Sequence, residues 1–411
     1  MKGAAKANAT ARAILVINAG SSSVKFALFG WVRQMTDSVV LHGQIDGIGE
    51  RPQFTAYDAQ GSSLGTSSAS YTPRRDHDPH DEALRFLLEW LALHAAPWQV
   101  AAAGHRVVHG GENHSDPVLV SDQAISYLET LVPLAPLHQP HNLAAIQALR
   151  RTAPTLPQVA CFDTAFHRSQ PEVAQMFALP REYTQAGIRR YGFHGLSYEY
   201  IASVLPSYLG DLADGRVVVA HLGAGASMCA MLGRKSVVST MGFTPLDGLI
   251  MSTRCGDLDP GVVLHLLKHY GMHAQAIEDL LYHRSGLLGV SGLSGDMRVL
   301  LASHEVAART AVELFVYRAN LELGSLVAAI EGLDALIFTG GIGENSAVVR
   351  QLISHKAHWL GVRLDETANW ANSRRISVPG SAVTTLVIPT NEEWIIAKHT
   401  ADLLSRAKVW N

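Results

Sequence analysis

Cysteine is scarce in this chain of 411 residues, which contains three: Cys161, Cys229 and Cys255. They lie far apart, and no two of them form a C-x-x-C pair. This usage excludes a disulfide framework and argues against a structural zinc site. It is typical of proteins in a reducing compartment, and we therefore expect a cytoplasmic protein.

The sequence also has no apolar run of the length that a membrane span requires, and it has no excess of basic residues. Its formal net charge is -3, with 33 Lys and Arg against 36 Asp and Glu. A chain with this balance lacks the electrostatic footprint of proteins that bind nucleic acids or anionic lipids. We therefore expect neither a nucleic acid nor a membrane as a partner.

Two common nucleotide-binding motifs are missing. The pattern G-x-x-x-x-G-K-[ST] does not occur, which excludes a P-loop nucleotidase. The segment HLGAGAS has Met228 where a dinucleotide-binding fingerprint has its third glycine. The spacing of His105, His109 and His114 does not identify a metal site, because no cysteine or carboxylate set completes one.

What the chain does have is a repeated pattern. Residues 14–29, ILVINAGSSSVKFALF, and residues 216–232, RVVVAHLGAGASMCAML, each join two apolar runs through a turn of glycine and small residues. The two segments begin about two hundred residues apart, and the chain is too long for one hydrophobic core. The repeat predicts a duplicated α/β architecture, with one such turn in each half.

The turns have the composition of phosphate-binding loops. Converging backbone N–H groups and hydroxyls surround an anion without bulk, and Gly20, Ser21, Ser22 and Ser23 supply them. GGIGEN, residues 340–345, lies between a predicted strand and a predicted helix, where an anion can also bind. A plain β-hairpin remains an alternative for each glycine turn, because glycine and serine favour turns in any case.

Four polar residues are candidates for chemistry. Arg106 and Arg254 adjoin glycine-containing turns and can bind a carboxylate or a phosphate through two parallel hydrogen bonds. Asp163 follows an apolar strand, at the sheet edge where α/β proteins gather their ligands. His194 stands between glycines and aromatic residues. The alternatives are surface salt bridges for the arginines and a packed core position for His194.

Nine segments of the chain resemble the acetokinase family, within the larger actin, sugar-kinase and heat-shock superfamily. In chain order they are VINAGSSSVKF, GHRVVHGGE, PLHQPHN, CFDTAFH, RRYGFHGLSYEY, HLGAGAS, TPLDGLIMSTRCGDLDPG, FTGGIGENS and IPTNEEWIIAKHT. The resemblance implies an α/β, duplicated actin-like (ribonuclease H-like) two-domain kinase fold with a central cleft. The implied domains are residues 13–162 with 386–411, and residues 163–385, the latter for nucleotide binding and dimerisation.

The activity implied by the resemblance is reversible phosphoryl transfer from ATP to acetate, giving ADP and acetyl phosphate. Mg²⁺ is the implied cofactor, with Mn²⁺ as an alternative, and a homodimer is the implied assembly. One extra methylene changes the discrimination of an apolar pocket by only about 1–3 kcal/mol, so a propionate or butyrate kinase is an alternative. A nucleotide-binding relative that does not catalyse the transfer is a second one.

The family's functional residues carry over position by position. The resemblance implies Mg²⁺ ligands at Asn18 and Glu392, catalytic roles for Arg106, Asp163, His194 and Arg254, and transition-state contacts from His138, His194 and Arg254. It implies substrate contacts from Arg106, Val108, Leu137, Phe193 and Pro245. It implies nucleotide contacts from Ser21, Ser23, Lys25, His221, Leu222, Gly223, Ala224, Gly225, Asp296, Met297, Arg298, Gly341, Ile342, Gly343, Glu344 and Asn345.

Two positions depart from the family pattern. Ala224 stands where the family usually has Asn, so one side-chain donor to phosphate is missing. Cys255 stands where Ser is common, which is a nearly isosteric change. A carboxylate substrate is already ionised at neutral pH and needs no general base. We therefore expect Asp163 to orient Arg254 or a Mg²⁺-bound water rather than to accept a proton.

Overall fold

The computed structural model describes residues 11–20, 22–31, 35–49, 51–65 and 79–407. Contacts divide the chain into two compact units: the first ends at Ala165 and resumes at Asn391, and the second comprises Phe166–Thr390. Residues 163–165, predicted to open the second domain, thus belong to the first unit. Residues 386–390, predicted in the first domain, belong to the second.

Strands and helices alternate along most of the chain. The strands are β1 Ala11–Ala19, β2 Ser23–Trp31, β3 Met35–Asp46, β4 Gln53–Asp58, β5 Ser63–Gly65, β6 Trp98–Val107, β7 Val118–Leu119, β8 Gln158–Phe162, β9 Arg216–Leu222, β10 Ala226–Leu232, β11 Lys235–Ser239, β12 Ala335–Thr339 and β13 Thr384–Val387. The α-helices are α1 Pro79–His94, α2 Asp122–Thr130, α3 Gln139–Thr152, α4 Glu172–Gln175, α5 Arg181–Gln185, α6 Gly195–Leu209, α7 Pro260–His269, α8 Ala274–His283, α9 Gly286–Ser291, α10 Met297–Ala302, α11 Val306–Ala329, α12 Gly340–Asn345, α13 Ala347–Lys356, α14 Glu366–Trp370 and α15 Glu392–Arg406. Short 3₁₀ helices lie at Val132–Leu134, Ala165–Ser169, Gly210–Asp214 and His358–Leu360.

Each unit contains one sheet, and the two sheets share a topology. In the first unit the order is β5-β4-β3-β2-β1-β6-β8-β7, and in the second it is β11-β10-β9-β12-β13. In both, an antiparallel meander, five-stranded in the first unit and three-stranded in the second, is followed by two strands that pair in parallel. Parallel strands need a crossover connection, which the intervening helices supply. The predicted α/β class and the predicted duplication are confirmed.

Both glycine turns connect antiparallel strands, as the apolar pattern predicts. β1 and β2 pair from Arg12 with Trp31 to Ala19 with Val24, and the Gly20 N–H donates to the Ser23 carbonyl over 2.8 Å. In the second unit Ala226 pairs with Leu222. The third segment, GGIGEN, differs from its prediction: it forms the short helix α12 and not a turn. The following helix, α13, is capped by the Ser346 hydroxyl, which accepts from the Val349 N–H.

The first sheet is covered on both faces. Alternate residues of β1, including Leu15 and Ile17, pack with α1 and α3 in one core cluster. Helix α15 packs on the opposite face, and Gly104 of β6 permits its close approach. A Cβ at Gly104 would lie 2.4 Å from Thr400 Oγ1 and 2.6 Å from Ile396 Cγ2. Because side chains alternate along a strand, Arg106 points to the same face as Gly104 and hence towards α15.

Among the residues that the structure describes, no helix is both long enough and apolar enough to cross a membrane.

Three buried histidines predict a loss of stability in acid. Burial lowers the pKa of His105, His109 and His167 to about 4. In the unfolded chain their pKa is about 6.5, so each takes up a proton on unfolding between these two values. Each therefore lowers the free energy of unfolding by about 1.4 kcal/mol per pH unit as the pH falls from about 6.5 to about 4.

The measurement is the free energy of unfolding from urea titrations between pH 7 and pH 4. We expect His105→Gln to flatten the dependence on pH by about 1.4 kcal/mol per unit. His304→Gln is the matched control, because the His304 side chain is exposed. An unchanged slope in His105→Gln would contradict the assignment of the buried ring as neutral.

Candidate active site

The first candidate site lies in the first unit, on the face of the sheet that α15 covers. Asn18 of β1 and Arg106 of β6 point to this face, and Glu392 is the first residue of α15. Asp163 directly follows β8, whose Cys161 pairs with Arg106. The parallel register of β6 and β8 therefore brings together two residues that are 57 positions apart in the sequence.

Arg106 and Asp163 form a bidentate ion pair. Arg106 NH2 donates to Asp163 Oδ2 over 2.6 Å, and Nε lies 3.1 Å from both carboxylate oxygens. The Asp163 side chain is 1% exposed, whereas that of Arg106 is 21% exposed. Burial lowers the pKa of Arg106, but the negative charges of Asp163 and Glu392 more than offset it and raise the pKa overall. The guanidinium is thus fixed in orientation and permanently charged.

Two oxygen-bearing groups flank this pair. Asn18 Oδ1 lies 3.5 Å from Arg106 NH1, and Glu392 Oε2 lies 3.8 Å from Arg106 Nε. Burial raises the pKa of Glu392; Arg106 opposes the shift, and Asp163 adds to it. Within the described ranges, no group of three or more His, Cys, Asp or Glu side chains is placed to hold a metal ion. The candidate site therefore offers few oxygen atoms as metal ligands.

Two buried residues of α3 that the sequence did not single out as site residues support the strand ends. Asn142 Nδ2 donates to the Ala19 carbonyl over 2.9 Å, and Asn142 Oδ1 accepts from the Val108 N–H over 3.0 Å. Gln139 binds both the N–H and the carbonyl of His109. Gln139 is the first residue of α3 and Asn142 lies one turn further along the helix. Buried amides of this kind have no periodic pattern by which a sequence could reveal them.

The other predicted residues of the first unit lie near the ends of the same strands. Ser23 and Lys25 lie on β2, where Lys25 is exposed and pairs in register with Asn18. Val108 is buried beyond the end of β6, and the half-buried Leu137 and His138 directly precede α3. The predicted nucleotide contact Ser21 lies outside the described residues.

The second candidate site is a cavity of about 850 Å³ within the second unit. Its size falls in the range of ~300–1,000 Å³ that ligand pockets occupy. Eight predicted nucleotide contacts line it: Gly223, Ala224, Asp296, Met297, Arg298, Gly341, Ile342 and Asn345. The sequence did not identify the remaining lining residues: Leu301, Ala302, Ser346, Ala347, Val348, Trp370 and Asn372. Three separate segments that the resemblance nominates therefore meet at one cavity.

The first residues of α12 leave room for a ligand to approach the backbone closely. A Cβ added at Gly341 would meet no atom within 4 Å, and Gly340 adopts a φ of +77° that favours glycine. Asp296 caps α10 by accepting from the Arg298 N–H over 2.9 Å. Hydrogen bonds from the Arg298 side chain and from this N–H lower the pKa of Asp296 to about 2.

Five predicted nucleotide contacts of the second unit do not line this cavity. Leu222 and Gly343 are buried, His221 lies on β9, and Gly225 lies on the turn between β9 and β10. Glu344 Oε1 instead accepts from the N–H groups of Gly340, at 2.8 Å, and Thr390, at 3.1 Å. In the structure, the Glu344 carboxylate thus supports the turn that opens α12.

Arg350 of α13 is a fully buried arginine that the sequence did not single out. Its guanidinium donates to the carbonyls of Gly343, Glu344 and Asn369, each at 2.9 Å. NH2 also donates to Asn372 Oδ1 over 2.6 Å. Arg350 thereby joins the end of α12 to the segment that carries Asn372, and so holds two walls of the cavity together.

Arg254 belongs to a tightly turned loop of the second unit. Arg254 NH1 donates to the Pro245 carbonyl over 3.1 Å, and the guanidinium carbon lies 6.0 Å from the centre of the Tyr282 ring. Gly286, at a φ of +62°, packs so closely that a Cβ there would lie 2.7 Å from the Arg254 carbonyl oxygen. The structure thus brings two predicted residues, Pro245 and Arg254, into contact.

His194 is the N-cap of α6 and adopts a left-handed φ of 57°. Its Nδ1 lies 2.8 Å from Ser227 Oγ, and its ring stacks on that of His221 with centroids 4.5 Å apart. The preceding residue, Phe193, is buried, and its carbonyl accepts from His167 Nε2 over 2.9 Å. His194 is therefore half-buried and fixed on one edge.

Comparisons with known proteins identify relatives over nearly the whole chain. The model of the Acetokinase family matches residues 13–398. An acetate kinase of Rhodopseudomonas palustris is 55% identical over 390 residues, which cover 94% of this chain and 97% of that protein. The crystal structure of Porphyromonas gingivalis acetate kinase is 35% identical, covers 96% of this chain and 100% of that chain, and has a TM-score of 0.85.

A propionate kinase of Francisella tularensis is also 35% identical with a TM-score of 0.85, covering 95% of this chain and 99% of that chain. These similarities confirm the predicted actin-like, two-domain kinase fold. The motifs, the fold and the family match agree over nearly the whole sequence, and the chain belongs to the acetokinase family.

Proposed function

We propose that the protein catalyses the reversible transfer of the γ-phosphoryl group of ATP to acetate, giving ADP and acetyl phosphate. The observation that carries this proposal is the fixed guanidinium of Arg106. Two of its nitrogens are bound to the buried Asp163 carboxylate, and oxygens of Asn18 and Glu392 lie nearby. Such a group suits the binding of an anion beside a hard cation.

The arginines would stabilise charge rather than move protons. In-line phosphoryl transfer asks a protein mainly for positioning and for positive charge around the equatorial oxygens. In our proposal Arg106 binds the carboxylate substrate, Arg254 stabilises the transferring group, and His194 donates a hydrogen bond to it. His138 is a further donor. Asp163 holds Arg106 in place, which replaces the sequence-based expectation that it orients Arg254 or a bound water.

The oxygens near Arg106 fit a magnesium site. Mg²⁺ prefers oxygen ligands and keeps several waters, so one or two protein groups suffice, and Mn²⁺ accepts the same ligands. Asn18 and Glu392 would hold the ion, and burial together with Asp163 leaves Glu392 with a raised pKa that a nearby cation would lower. The ion, when bound, would neutralise charge on the phosphates of the nucleotide.

The cavity of the second unit would bind the nucleotide. Its apolar walls, including Leu301 and Val348, suit a base, and the start of α12 at Gly341 offers backbone N–H groups for phosphates. Ser21, Ser23 and Lys25 would add contacts to phosphate from the first unit. Leu222 and Gly343 would act through the backbone, because their side-chain positions are buried.

Because Ala224 lacks the side-chain amide that the family usually has here, we expect a weak contact with ATP, which an asparagine would strengthen. Ala224 is exposed and lines the cavity, and the family usually has Asn at this position. A hydrogen bond to a charged group contributes about 1.5–3 kcal/mol, so we expect Ala224→Asn to lower the KM for ATP by about tenfold. Ala302→Asn, also at the cavity wall, is the matched control. An unchanged KM for ATP in Ala224→Asn would mean that backbone N–H groups already satisfy the phosphates.

The proposed substrate is the smallest of three candidate acids. In our proposal its methyl group contacts Val108, Leu137, Phe193 and Pro245, all of which are apolar. Since both an acetate kinase and a propionate kinase are similar in structure, the acid must be tested directly.

The test measures Mg²⁺-dependent formation of ADP with acetate, propionate and butyrate, and traps the acyl phosphate with hydroxylamine. The highest kcat/KM with acetate would support the proposal. The highest value with propionate or butyrate would assign the alternative kinase. Binding of ATP without acyl phosphate would indicate a relative that binds nucleotides without catalysing the transfer.

We further propose that the protein is a cytoplasmic homodimer that associates through the second unit. No residue of α7 is buried, although the helix carries Val262, Leu264 and Leu267. Leu264 is 51% exposed and Tyr270, just beyond the helix, is 71% exposed. An isolated helix of this length is not stable in water, and large exposed apolar patches mark interaction sites.

A charged substitution on α7 should separate the subunits. We expect Leu264→Asp combined with Leu267→Asp to halve the mass measured by light scattering, because buried carboxylates oppose association. Val173→Asp, at an exposed apolar residue outside α7, is the matched control. A parent protein that is monomeric at micromolar concentration would overturn the proposed assembly.

A further inference from the structure

A buried series of hydroxyl groups ends on His194, and it consists of two residues to which the sequence analysis assigned no role. Tyr198 OH is hydrogen-bonded to Ser227 Oγ, and Ser227 Oγ lies 2.8 Å from His194 Nδ1. Tyr198 and Ser227 are fully buried. Tyr198 lies on α6, one turn after His194, and Ser227 lies on β10 opposite His221. These hydrogen bonds thus join α6, which His194 caps, to β10, the strand after the glycine turn.

The hydrogen bonds between Tyr198, Ser227 and His194 favour one direction of donation. Each hydroxyl has a single proton to donate, and a phenol is a stronger donor and a weaker acceptor than an aliphatic hydroxyl. When Tyr198 donates to Ser227, the proton of Ser227 is directed to His194 Nδ1. If Nδ1 carried a proton instead, Ser227 would accept twice, and its own buried proton would lose this acceptor at a cost. The arrangement therefore favours an unprotonated Nδ1 and a protonated Nε2.

The other edge of the ring faces the β9–β10 turn. A Cβ added at Gly225 would lie 3.2 Å from His194 Nε2 and 3.5 Å from Cε1, so glycine lets the turn approach this edge closely. The backbone around His194 is fixed as well. Gly192 has a φ of +76°, and a Cβ there would lie 2.6 Å from the His167 ring. The Nε2 edge is thus held over Gly225, next to two residues that line the cavity, Gly223 and Ala224.

The stacked His221 ring disfavours a positive charge on both imidazoles at once. The two imidazoles lie 4.5 Å apart between centroids with an interplanar angle of 22°. His221 Nδ1 is hydrogen-bonded to Ser197 Oγ over 2.8 Å, which fixes the second ring in this position. Like charges at this distance repel, so the stack opposes protonation of both rings together.

We propose that Tyr198 and Ser227 are positioning residues that fix His194 as a neutral imidazole with its proton on Nε2, aimed at the turn of Gly223–Gly225. This inference rests on the proposed function, in which His194 donates a hydrogen bond to the transferring phosphoryl group. A neutral donor of fixed direction gains strength as negative charge develops on that group, and it needs no reorganisation. The positive charge in the site then comes from the arginines and the cation.

The direct test is the protonation state of the ring. In protein labelled with ¹⁵N-histidine, two-bond ¹H–¹⁵N correlations distinguish the two tautomers, and His194→Asn assigns the His194 signals. We expect the parent protein to show a protonated Nε2 and an unprotonated Nδ1, and Ser227→Ala to show a mixture of tautomers. A protonated Nδ1 in the parent would overturn the inference, and so would an unchanged tautomer in Ser227→Ala. Ser203→Ala, on the exposed face of α6, is the matched control.

The kinetic test asks whether the two hydroxyls act through one path. We expect Ser227→Ala to lower kcat by roughly tenfold or more with little change in the KM for ATP, because a mispositioned proton affects the transition state most. We expect Tyr198→Phe to cause a smaller loss of a few-fold, and the double variant to lose no more than Ser227→Ala alone. Losses that multiply in the double variant would contradict a shared path.

The two readouts separate this inference from the proposed function. If the tautomer is as expected but His194→Asn retains the parental kcat, the inference about Tyr198 and Ser227 is supported and the proposed role of His194 fails. If His194→Asn loses turnover but the parent carries its proton on Nδ1, the role of His194 is supported and the positioning by Ser227 is wrong.

Discussion

Arg254→Ala should bind ATP with nearly the parental affinity and lose about a thousandfold in kcat. An arginine that contacts the transferring phosphoryl group contributes ~10³–10⁵-fold to kcat in related phosphoryl transfers. The Pro245 carbonyl and the Tyr282 ring hold the Arg254 side chain in place. The residues that line the cavity lie on other segments, so the substitution should leave the binding of ATP nearly unchanged. Nucleotide affinity is measured by calorimetry and kcat by formation of acyl phosphate.

A matched pair of variants sharpens this prediction. Arg254→Lys keeps the charge but loses the planar fork, so we expect it to recover only part of kcat. Arg284→Ala removes an arginine of the same unit whose side chain is 57% exposed and pairs with Asp279, and it should leave kcat unchanged. Parental turnover in Arg254→Ala would exclude a transition-state role for this residue.

We expect Asp163→Ala to lower the free energy of unfolding of the first unit and to abolish most of the contribution that this unit makes to turnover. Removing one partner of a buried ion pair costs about 3–5 kcal/mol, because the other charge is left without compensation. Glu392 lies 3.8 Å from Arg106 Nε and can compensate in part, so we expect the lower end, about 3 kcal/mol. Hydrogen exchange monitored on first-unit peptides measures this loss separately from the second unit.

A double variant distinguishes the structural effect from the functional one. Replacing both members of a buried pair by apolar residues is often neutral, so Arg106→Met with Asp163→Leu should recover most of the lost stability. Its turnover should stay at least a hundredfold below that of the parent, because the guanidinium proposed to bind the carboxylate substrate is gone. A double variant as unstable as Asp163→Ala would show that the ion pair is not the cause.

The strand and turn pattern was readable from local sequence. Strand pairs on both sides of Gly20 and Gly223–Gly225 follow from apolar runs interrupted by glycine, and both are present as antiparallel hairpins. The long helix α11 lies in a segment without proline, which would break it. The prediction of a turn at GGIGEN was wrong: its glycines disfavour a helix by propensity alone, but Glu344 within the segment and Arg350 on the next helix bind its backbone.

The candidate site was predictable as a set of residues but not as a set of contacts. Sequence nominated Arg106 and Asp163, yet placed Asp163 in the second domain. Their pairing depends on the register of β6 and β8, which no local pattern specifies. Gln139 and Asn142 were not singled out as site residues, because the sequence alone does not reveal whether an amide side chain is buried.

The linear order of apolar runs, glycines and breakers was enough to specify the α/β class and the duplication, and it marked Arg106, Asp163, His194 and Arg254 as candidates. These features depend on neighbours within a few positions, which is the range over which propensity and periodicity act. The partner of each buried charge and hydroxyl depended instead on the packed sheets and helices. Arg106 meets Asp163, and Tyr198 meets Ser227, because parallel register and helix packing bring distant segments within hydrogen-bond distance, where burial makes each partner matter.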